Sequence, residues 1–416
     1  MRIAIVTWEY PPHIVGGLGT YAGAMVAALR AAGHEVEVFA ALRATDPDPA
    51  DGTHWTRPLE LTPLYSSLLN GEAQAWGPLL GELAATNVLW ADRVRERHRR
   101  GPFDVVAIHD WLAAPSGLVL APLVDAPVVF HVHSTERGRQ PVASSPIVQS
   151  WELTLGHEAA AVVTVSKAMR EDLVAHGWPD DRVQAVWNGV DTRLYHPLAP
   201  GGPEVRARYD IPTAAPVALF IGRLTEVKGV RQLAAAWGSV ASQCAGAWLV
   251  VLGSGELEHE LRDTFAHAGG SDRVVMRTEF VDEQERIAHY VASDVVVLPS
   301  TYEPFGLVAA EAMACGKPAV VGAQGVVGFR EQVVAGGPEQ TGLHVNGADP
   351  DDIAWGLIHA LEDRDRLAAW GKNARTRAAS TFTWQRSATA TLAVYQSAIE
   401  ARCHAAVWSP LPQGEG

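Results

Sequence analysis

The chain has 416 residues and a formal net charge of −14, with 48% hydrophobic and 19% charged residues. This length allows two globular domains of about 200 residues each. The acidic balance argues against nucleic acid and anionic membrane surfaces as partners, because either would require a basic face. The three cysteines form no Cys-x-x-Cys pair, and no apolar run is long enough to cross a membrane. We therefore expect a cytoplasmic protein without stable membrane insertion, disulfide framework or zinc site.

The chain opens with a pattern of strand, helix and strand. Residues 2–6 are apolar and predict a buried strand, and residues 21–32 and 34–40 predict a helix and a second strand. Gly16-Gly17-Leu18-Gly19 lies in the connection before the helix, but it does not match the dinucleotide fingerprint Gly-x-Gly-x-x-Gly. Alone it is weak evidence for phosphate binding, since a tight turn also requires glycine.

Polar clusters follow two further predicted strands. Residues 104–108 lead into His109-Asp110-Trp111, and residues 128–132 lead into His133-Ser134-Thr135-Glu136. Open α/β sheets bind ligands at the carboxyl ends of their strands. A lone histidine there is more often structural, but two clusters at adjacent strand ends favour a binding site.

The first half of the chain ends in a linker. Residues 161–165 and 183–187 predict strands, and residues 167–176 predict the helix between them. The segment HPLAPGGP at residues 196–203 has the Pro and Gly content of a linker. We therefore predict a first domain over residues 1–196.

The same pattern then begins again. Residues 216–221 predict a strand, which is followed by Gly222-Arg223-Leu224, Lys228-Gly229 and a predicted helix at 230–240. Arg223 and Lys228 thus flank one strand-to-helix turn. An arginine binds phosphate bidentately and a lysine binds it as a point charge, so the pair suits a diphosphate. The alternative is two surface cations that never meet.

The end of the chain completes a second domain. The predicted strand at 248–252 ends in Gly253-Ser254-Gly255, where glycine lets the backbone approach a flat ligand closely. We predict that this domain spans residues 203–380 and that a helix covers 383–402. The composition of residues 408–416 predicts a disordered tail.

One stretch, PSTYEPFGLVAAEAMACGKP, carries the most chemistry. It follows a predicted strand at 294–298, and its apolar helix contains a single charged residue, Glu311. Glu303 lies in the loop before that helix. A helix starting near Phe305 would offer the backbone amides of its first residues to an anion. Glu303 as a helix cap and Glu311 as the partner of a buried arginine are the structural alternatives.

These motifs, in this order, resemble those of the retaining glycosyltransferases of family 4, which adopt the GT-B fold. The resemblance rests on the Glu-x7-Glu pair, the Gly-Arg-Leu-x3-Lys-Gly segment from Gly222, the Asn-Gly-Val-Asp segment from Asn188 and the glycine turn. Residues 325–331, GVVGFRE, depart from the family pattern Gly-Gly-x-Pro-Glu. The resemblance implies an α/β protein with two Rossmann-like, doubly wound domains facing across a cleft, and a terminal helix that crosses back to the first domain.

The resemblance also implies residue roles. Glu303 would hold hydroxyls of the donor sugar, Glu311 the ribose, and His133 would face the sugar. Residues implied to act in catalysis are Glu303, His133, Arg223 and Lys228. Residues implied to contact the nucleotide sugar are Gly16, Gly17, Arg223, Lys228, Gly253, Thr278, Phe305, Gly306, Leu307 and Glu311. No metal and no cofactor is expected, and the substrate would be a UDP-, ADP- or GDP-sugar.

We therefore expect a retaining, metal-independent hexosyltransferase that moves glucose to an acceptor hydroxyl. HDW and HVHSTE resemble segments of glycogen-synthase-like enzymes, which favours an α-glucan acceptor. Val15 stands where glycogen synthases often carry lysine, which favours a small-molecule, lipid or cell-envelope acceptor. A sugar-nucleotide epimerase, a glycan phosphorylase and a binding protein without catalysis are the rival classes.

Overall fold

The computed structural model describes residues 1–42, 52–58 and 71–408. The chain divides into two compact units. Unit 1 comprises Met1–Val165, Arg170–Val186 and the residues from Ser387 onward, and unit 2 comprises Ser166–Met169 and Trp187–Arg386. Of the predicted disordered tail, residues 409–416 lie outside the described residues. Among the described helices, none is both long and apolar enough to span a membrane.

Unit 1 is built on a parallel sheet with the strand order β3-β2-β1-β4-β5-β6-β7. Its strands are β1 (Arg2–Thr7), β2 (Glu35–Ala41), β3 (Thr53–Thr56), β4 (Val105–His109), β5 (Val128–Val132), β6 (Ala161–Thr164) and β7 (Val183–Ala185). The central strands are apolar and buried along their length, because helices cover both faces of the sheet.

The helices of the first half connect these strands. They are α1 (Gly17–Ala31), α2 (Gly71–Arg100, interrupted at Gly77), α3 (Ala114–Leu120), α4 (Glu136–Arg139), α5 (Pro146–Glu158) and α6 (Lys167–Ala175). Helix α1 begins at Gly17, earlier than the predicted start at residue 21. The reason is a carboxylate, that of Glu9, which accepts hydrogen bonds from the backbone amides at the helix start.

Unit 2 repeats the parallel arrangement, with the strand order β10-β9-β8-β11-β12-β13. Its strands are β8 (Val217–Ile221), β9 (Trp248–Leu252), β10 (Val274–Arg277), β11 (Val295–Leu298), β12 (Ala319–Gly322) and β13 (Gly342–Val345). Its helices are α7 (Gly202–Arg208), α8 (Val230–Gln243), α9 (Glu258–His267), α10 (Glu283–Ala292), α11 (Leu307–Ala314), α12 (Phe329–Gln332), α13 (Pro350–Leu361) and α14 (Arg364–Thr381). Its core is packed around Trp237, Phe220 and Leu357.

The segment after β7 belongs to unit 2, although the sequence assigns residues up to 196 to the first domain. Hydrogen bonds within unit 2 explain this: Val190 N donates to Phe382 O (2.9 Å), and the Arg375 side chain donates from Nη1 to Tyr195 O (2.9 Å). The last helix, α15 (Trp384–Trp408), is longer than predicted, and from Ser387 onward it belongs to unit 1.

Each sheet has a point where the strand order reverses. In unit 1 this point lies between β1 and β4, and in unit 2 between β8 and β11. Ligands of open α/β sheets bind outside the carboxyl ends of the strands at such a point. The loops after these four strands are therefore the first places to look for a site.

Candidate functional site

Two loops meet where the strand order of unit 2 reverses, one after β8 and one after β11. Thr301 N donates a hydrogen bond to Val227 O over 2.9 Å. Gly229 has a φ of 68°, and a Cβ there would collide with the carbonyl of Pro299. Glycine is therefore required for the close approach that brings Lys228 beside the second loop.

Lys228 and Glu303 form an ion pair in which Lys228 Nζ contacts Glu303 Oε2. Their side chains are 17% and 13% exposed, so the pair is largely shielded from water. The backbone of Glu303 is held on both sides, because its N–H donates to Val326 O (2.9 Å) and its carbonyl accepts from Gly328 N (2.7 Å). The predicted phosphate-binding cation and the predicted sugar-binding carboxylate are thus direct neighbours.

Arg223 lies in the same loop as Lys228 and is exposed. Within the described part of the chain its guanidinium forms no hydrogen bond or ion pair. Its exposed guanidinium is therefore available to bind an anionic group bidentately.

The start of α11 provides backbone donors beside this pair. Gly306 precedes the helix with a φ of 87°, and a Cβ there would collide with the ring of Phe329. Phe329 belongs to the segment that departs from the family pattern. The amides of Phe305, Gly306 and Leu307 donate to no group among the described residues. The positive end of the helix dipole therefore has donors available for an anion.

Glu311 has protein partners for both of its carboxylate oxygens. Tyr290 OH donates to Oε2 over 2.8 Å, and Arg286 Nη2 lies 3.5 Å from Oε1. Burial, followed by the nearby Glu311 charge, raises the pKa of Tyr290 well above its usual value. The structural alternative, in which Glu311 pairs with an arginine, therefore corresponds to an actual contact. Any ligand bound by Glu311 has to share the carboxylate with Arg286.

The glycine after β9 serves the packing of two loops. Gly253 has a φ of 145°, and a Cβ there would collide with the carbonyl of Gly222. Leu224 N donates to Ser254 O over 2.8 Å. The close approach observed at Gly253 is thus between the loops after β8 and β9.

The loop after β10 contains the predicted residue Thr278 and also Phe280, which the sequence analysis did not identify. Thr278 Oγ1 donates to Glu258 Oε1 (2.9 Å) and accepts from Arg262 Nη2 (3.1 Å), so its side chain is already engaged. Two residues later Phe280 is 92% exposed. In the sequence, Phe280 is marked only as an aromatic residue among the acidic residues of this loop. Its open ring face is suited to stacking on a flat ligand.

The glycine turn of unit 1 is partly filled by a protein carboxylate. Glu9 Oε2 accepts hydrogen bonds from the amides of Val15 (2.9 Å), Gly16 (2.9 Å) and Gly19 (3.3 Å). Gly16 and Gly17 are exposed, and within the described residues the amide of Gly17 has no acceptor. The sequence analysis predicted the turn but missed Glu9. It lies several residues before the amides, and no short sequence pattern links it to them.

Three histidines lie together at the ends of β4 and β5. His109 Nδ1 is 3.2 Å from His133 Nε2, and His131 Nε2 is 2.8 Å from Tyr395 OH on α15. The ring of Tyr21 packs edge-on against His133, with 4.4 Å between the centroids. Burial lowers the pKa of all three histidines and brings that of His133 to about 3. His133 is therefore a neutral hydrogen-bonding group near pH 7 and not a proton donor in general acid catalysis.

An acidic cluster surrounds Arg139, another feature absent from the sequence prediction. Arg139 contacts Glu136 (3.2 Å), Asp110 (3.9 Å) and Glu152 (4.0 Å). Burial raises the pKa of Asp110 to about 6, against the opposing effect of Arg139. Burial, followed by the neighbouring Asp110, raises the pKa of Glu152 to about 8. Within the described residues, Arg139 is thus shared by three carboxylates.

Replacing Glu152 with glutamine is expected to remove a pH-dependent loss of stability. A carboxyl with a raised pKa contributes stability that is fully present below its unfolded pKa of about 4.5 and lost as the pH rises towards 8. The melting temperature of Glu152→Gln relative to the wild type should therefore increase between about pH 5 and pH 8. The exposed Glu158 on the same helix provides the control, Glu158→Gln. A difference that is constant with pH would contradict the assignment.

The predicted site residues fall into two sets, one in each unit. In unit 2, Arg223 and Lys228 lie in the loop after β8, while Glu303, Phe305, Gly306 and Leu307 lie between β11 and the first turn of α11. Gly253 and Thr278 follow β9 and β10, and Glu311 lies on α11. In unit 1, Gly16, Gly17 and His133 follow the carboxyl ends of β1 and β5. In the described ranges, no group of three or more His, Cys, Asp and Glu is arranged to hold a metal ion. The roles of these residues stay predictions.

Comparison with known proteins gives two family matches and similar full-length proteins. Residues 203–377 match the model of glycosyl transferases group 1, and residues 15–194 match that of glycosyltransferase family 4. A glycogen synthase of Mycobacterium tuberculosis is 32% identical over 96% of this chain and 95% of its own length. An alpha-maltose-1-phosphate synthase of Mycolicibacterium smegmatis is 31% identical over 95% of this chain and 99% of its own. The structure of a sucrose-phosphate synthase from Thermosynechococcus elongatus superposes with a TM-score of 0.77 at 24% identity, covering 96% of this chain and 99% of that one.

Proposed function

Because the chain belongs to the glycosyltransferases of group 1 and family 4, we propose that it transfers glucose from a nucleoside-diphosphate sugar to an acceptor hydroxyl with retention of configuration. Its two Rossmann-like parallel-sheet units are those of the GT-B fold. One observation carries the proposal: the shielded Lys228–Glu303 pair joins the loop that also contains the exposed Arg223 to the loop that leads to the start of α11 in unit 2.

The proposed reaction exchanges one bond at the anomeric carbon. The bond between C1 and the diphosphate oxygen breaks, the acceptor oxygen bonds to C1 on the same face, and the acceptor proton passes to the departing diphosphate. Negative charge on the leaving group is greatest in the transition state. Arg223, Lys228 and the amides of Gly306 and Leu307 would stabilise that charge from fixed positions, which is how such sites lower a barrier.

Glu303 is proposed to accept hydrogen bonds from hydroxyls of the donor sugar. Its ion pair with Lys228 orients the carboxylate before substrate binds. In unit 1, His133 and the exposed Gly16 and Gly17 of the glycine turn are proposed to contact the donor as well. His133 would do so as a neutral ring.

The nucleoside part is proposed to bind along the remaining loops of unit 2. A carboxylate accepts several hydrogen bonds, so ribose hydroxyls can donate to Glu311 while Arg286 and Tyr290 keep their contacts. The exposed ring of Phe280, after β10, would stack on the nucleobase. UDP, ADP and GDP all present a flat base and a ribose, and the contacts proposed here suit each of them.

The proposal includes two classes of acceptor. Similarity to the glycogen synthase favours an α-glucan, and similarity to the alpha-maltose-1-phosphate synthase favours a small, phosphorylated sugar product. Val15, which is 67% exposed before the glycine turn, places a neutral side chain where glycogen synthases often have lysine. This departure favours the second class, and a lipid or cell-envelope acceptor belongs to the same group of alternatives.

A donor and acceptor panel tests the proposal. The purified chain is incubated with UDP-, ADP- and GDP-glucose, each with glycogen, with a small sugar phosphate or with no acceptor, and release of the nucleoside diphosphate is measured. We expect one nucleotide to be preferred and its release to be stimulated by one acceptor class. If no donor is consumed under any condition, the proposal is wrong. If the donor is converted equally well without acceptor, an epimerase or a hydrolase takes its place.

Chelation should leave this activity in place. Arg223, Lys228 and the backbone donors are proposed to neutralise the leaving group, a task that a metal ion performs in other enzymes. Treatment with EDTA should therefore change the rate of nucleotide release by less than about twofold. Loss of activity on chelation, with recovery on adding Mg²⁺ or Mn²⁺, would contradict the assignment.

A further inference from the structure

The contact between His109 and His133 limits how each ring can be protonated. His109 Nδ1 and His133 Nε2 are 3.2 Å apart, so one nitrogen donates and the other accepts. His109 is 1% exposed, and its other nitrogen, Nε2, is buried and has no hydrogen-bond partner among the described residues. The two possible directions of the shared hydrogen bond therefore differ in what they leave unpaired.

If His133 donates, the proton of His109 must lie on Nε2, and a buried N–H is left without an acceptor. If His109 donates from Nδ1, its Nε2 is only an unpaired acceptor. Buried donors without a partner are tolerated less often than buried acceptors without one. The second arrangement is therefore favoured, and it places the single proton of the neutral His133 ring on Nδ1.

The neighbouring rings hold His109 in this orientation. His131 stacks on it with 4.3 Å between the ring centroids and 23° between the planes. His131 is in turn fixed by Tyr395 OH, 2.8 Å from its Nε2. Neither Tyr395 nor His131 hydrogen-bonds to His133 in the described structure, so the shared bond with His109 alone sets the His133 tautomer.

We propose that His109 is a positioning residue: by donating from Nδ1 to Nε2 of His133, it fixes that ring with its Nδ1–H as the donor that meets the substrate. Within the described residues Nδ1 of His133 has no protein acceptor, which leaves its proton for an oxygen of the ligand. The inference rests on the proposed function only in naming the ligand, a sugar hydroxyl oxygen. The tautomer is a property of the chain itself.

The tautomer can be measured without any substrate. Protein carrying ¹⁵N-labelled histidine is studied by long-range ¹H–¹⁵N NMR, and the His133 ring is assigned by loss of its signals in His133→Gln. We expect a protonated, pyrrole-type Nδ1 and an unprotonated, pyridine-type Nε2 in the wild type. In His109→Phe the ring should change to the Nε2–H form, which an unconstrained histidine prefers. A wild-type ring already protonated on Nε2 would overturn the proposal.

Kinetics then separate positioning from a purely structural effect. Asn Nδ2 can take the place of His109 Nδ1, so His109→Asn should keep the His133 tautomer and most of kcat. His109→Phe should lower kcat at least tenfold with little change in the KM for the donor. Tyr395→Phe removes the hydrogen bond to His131 but keeps the bond between His109 and His133, so it should leave the His133 tautomer on Nδ1. Equal losses in His109→Phe and His109→Asn, with the fold of both variants normal, would overturn the proposal, whereas an inactive wild type with the expected tautomer would overturn only the proposed function.

Discussion

Replacing Glu303 with glutamine is expected to lower kcat by about a hundredfold while leaving the fold intact. The proposed contacts to sugar hydroxyls strengthen as positive charge develops at the anomeric carbon, and the neutral amide cannot follow that change. A lost charge-assisted contact of about 3 kcal/mol corresponds to this factor. The substitution also removes the anionic partner of Lys228. The fold should persist because the loop is also held by the backbone bonds to Val326 and Gly328.

The measurement is steady-state release of the nucleoside diphosphate, together with the melting temperature of each variant. Glu339→Gln, at an exposed position of unit 2, is the matched control and should behave as the wild type. Turnover of Glu303→Gln within about threefold of the wild type would remove Glu303 from the site.

Removing either cation of the loop after β8 is expected to lower kcat by about a hundredfold, with little effect on the acceptor KM. Charge on the departing diphosphate is greatest in the transition state, so these contacts are strongest there. Arg223 is exposed and forms no hydrogen bond or ion pair among the described residues, so Arg223→Ala breaks no such bond there. Lys228→Ala should cost at least as much, because it also leaves the Glu303 carboxylate without its ion pair.

The double variant shows whether the two cations act on the same group. If both hold the diphosphate, the second substitution falls on a leaving group that is already poorly held, and the combined loss is smaller than the sum of the single losses in free energy. Lys372→Ala, at an exposed position on α14, controls for the loss of a positive charge. Single variants with near-normal kcat would remove Arg223 and Lys228 from the mechanism, and additive losses would show that the two residues act apart.

Features set by neighbouring residues in the chain were predictable. Apolar runs marked strands such as β1, β4, β5, β8 and β11, whereas β3 and β13 were not predicted. Glycines marked the connections after β1, β8 and β9. The polar segments at strand ends, including His133, Arg223 and Glu303, follow from the rule that a parallel sheet places such ends at one edge. These predictions needed only composition and spacing over short stretches.

Partners distant in sequence were not predictable. The pairing of Lys228 with Glu303, the choice of Arg286 as partner for Glu311 and the contact of Tyr395 with His131 each join separate elements. They depend on which loops pack together. Glycines such as Gly229 permit that packing, but they do not indicate which loop is the partner. The sequence contains the side chains of such contacts but not their three-dimensional pairing.

Two electrostatic features of unit 1 have the same origin. Glu9 reaches the amides of the glycine turn from an earlier part of the same loop, which brings forward the start of α1. Arg139 gathers carboxylates from three different segments. In both cases a charged residue is drawn away from solvent, Glu9 almost fully and Arg139 in part, because it meets complementary groups.

The most direct test of glycosyl transfer with retention is a ¹H NMR time course. Wild-type protein is mixed with the preferred α-linked nucleotide-sugar donor and the acceptor from the panel, and the anomeric proton signals are followed. We expect loss of the donor signal, an equal gain of an α-linked product signal and stoichiometric release of the nucleoside diphosphate. A β-linked first product would contradict retention, and conversion of the donor without a new glycosidic bond would contradict transfer itself.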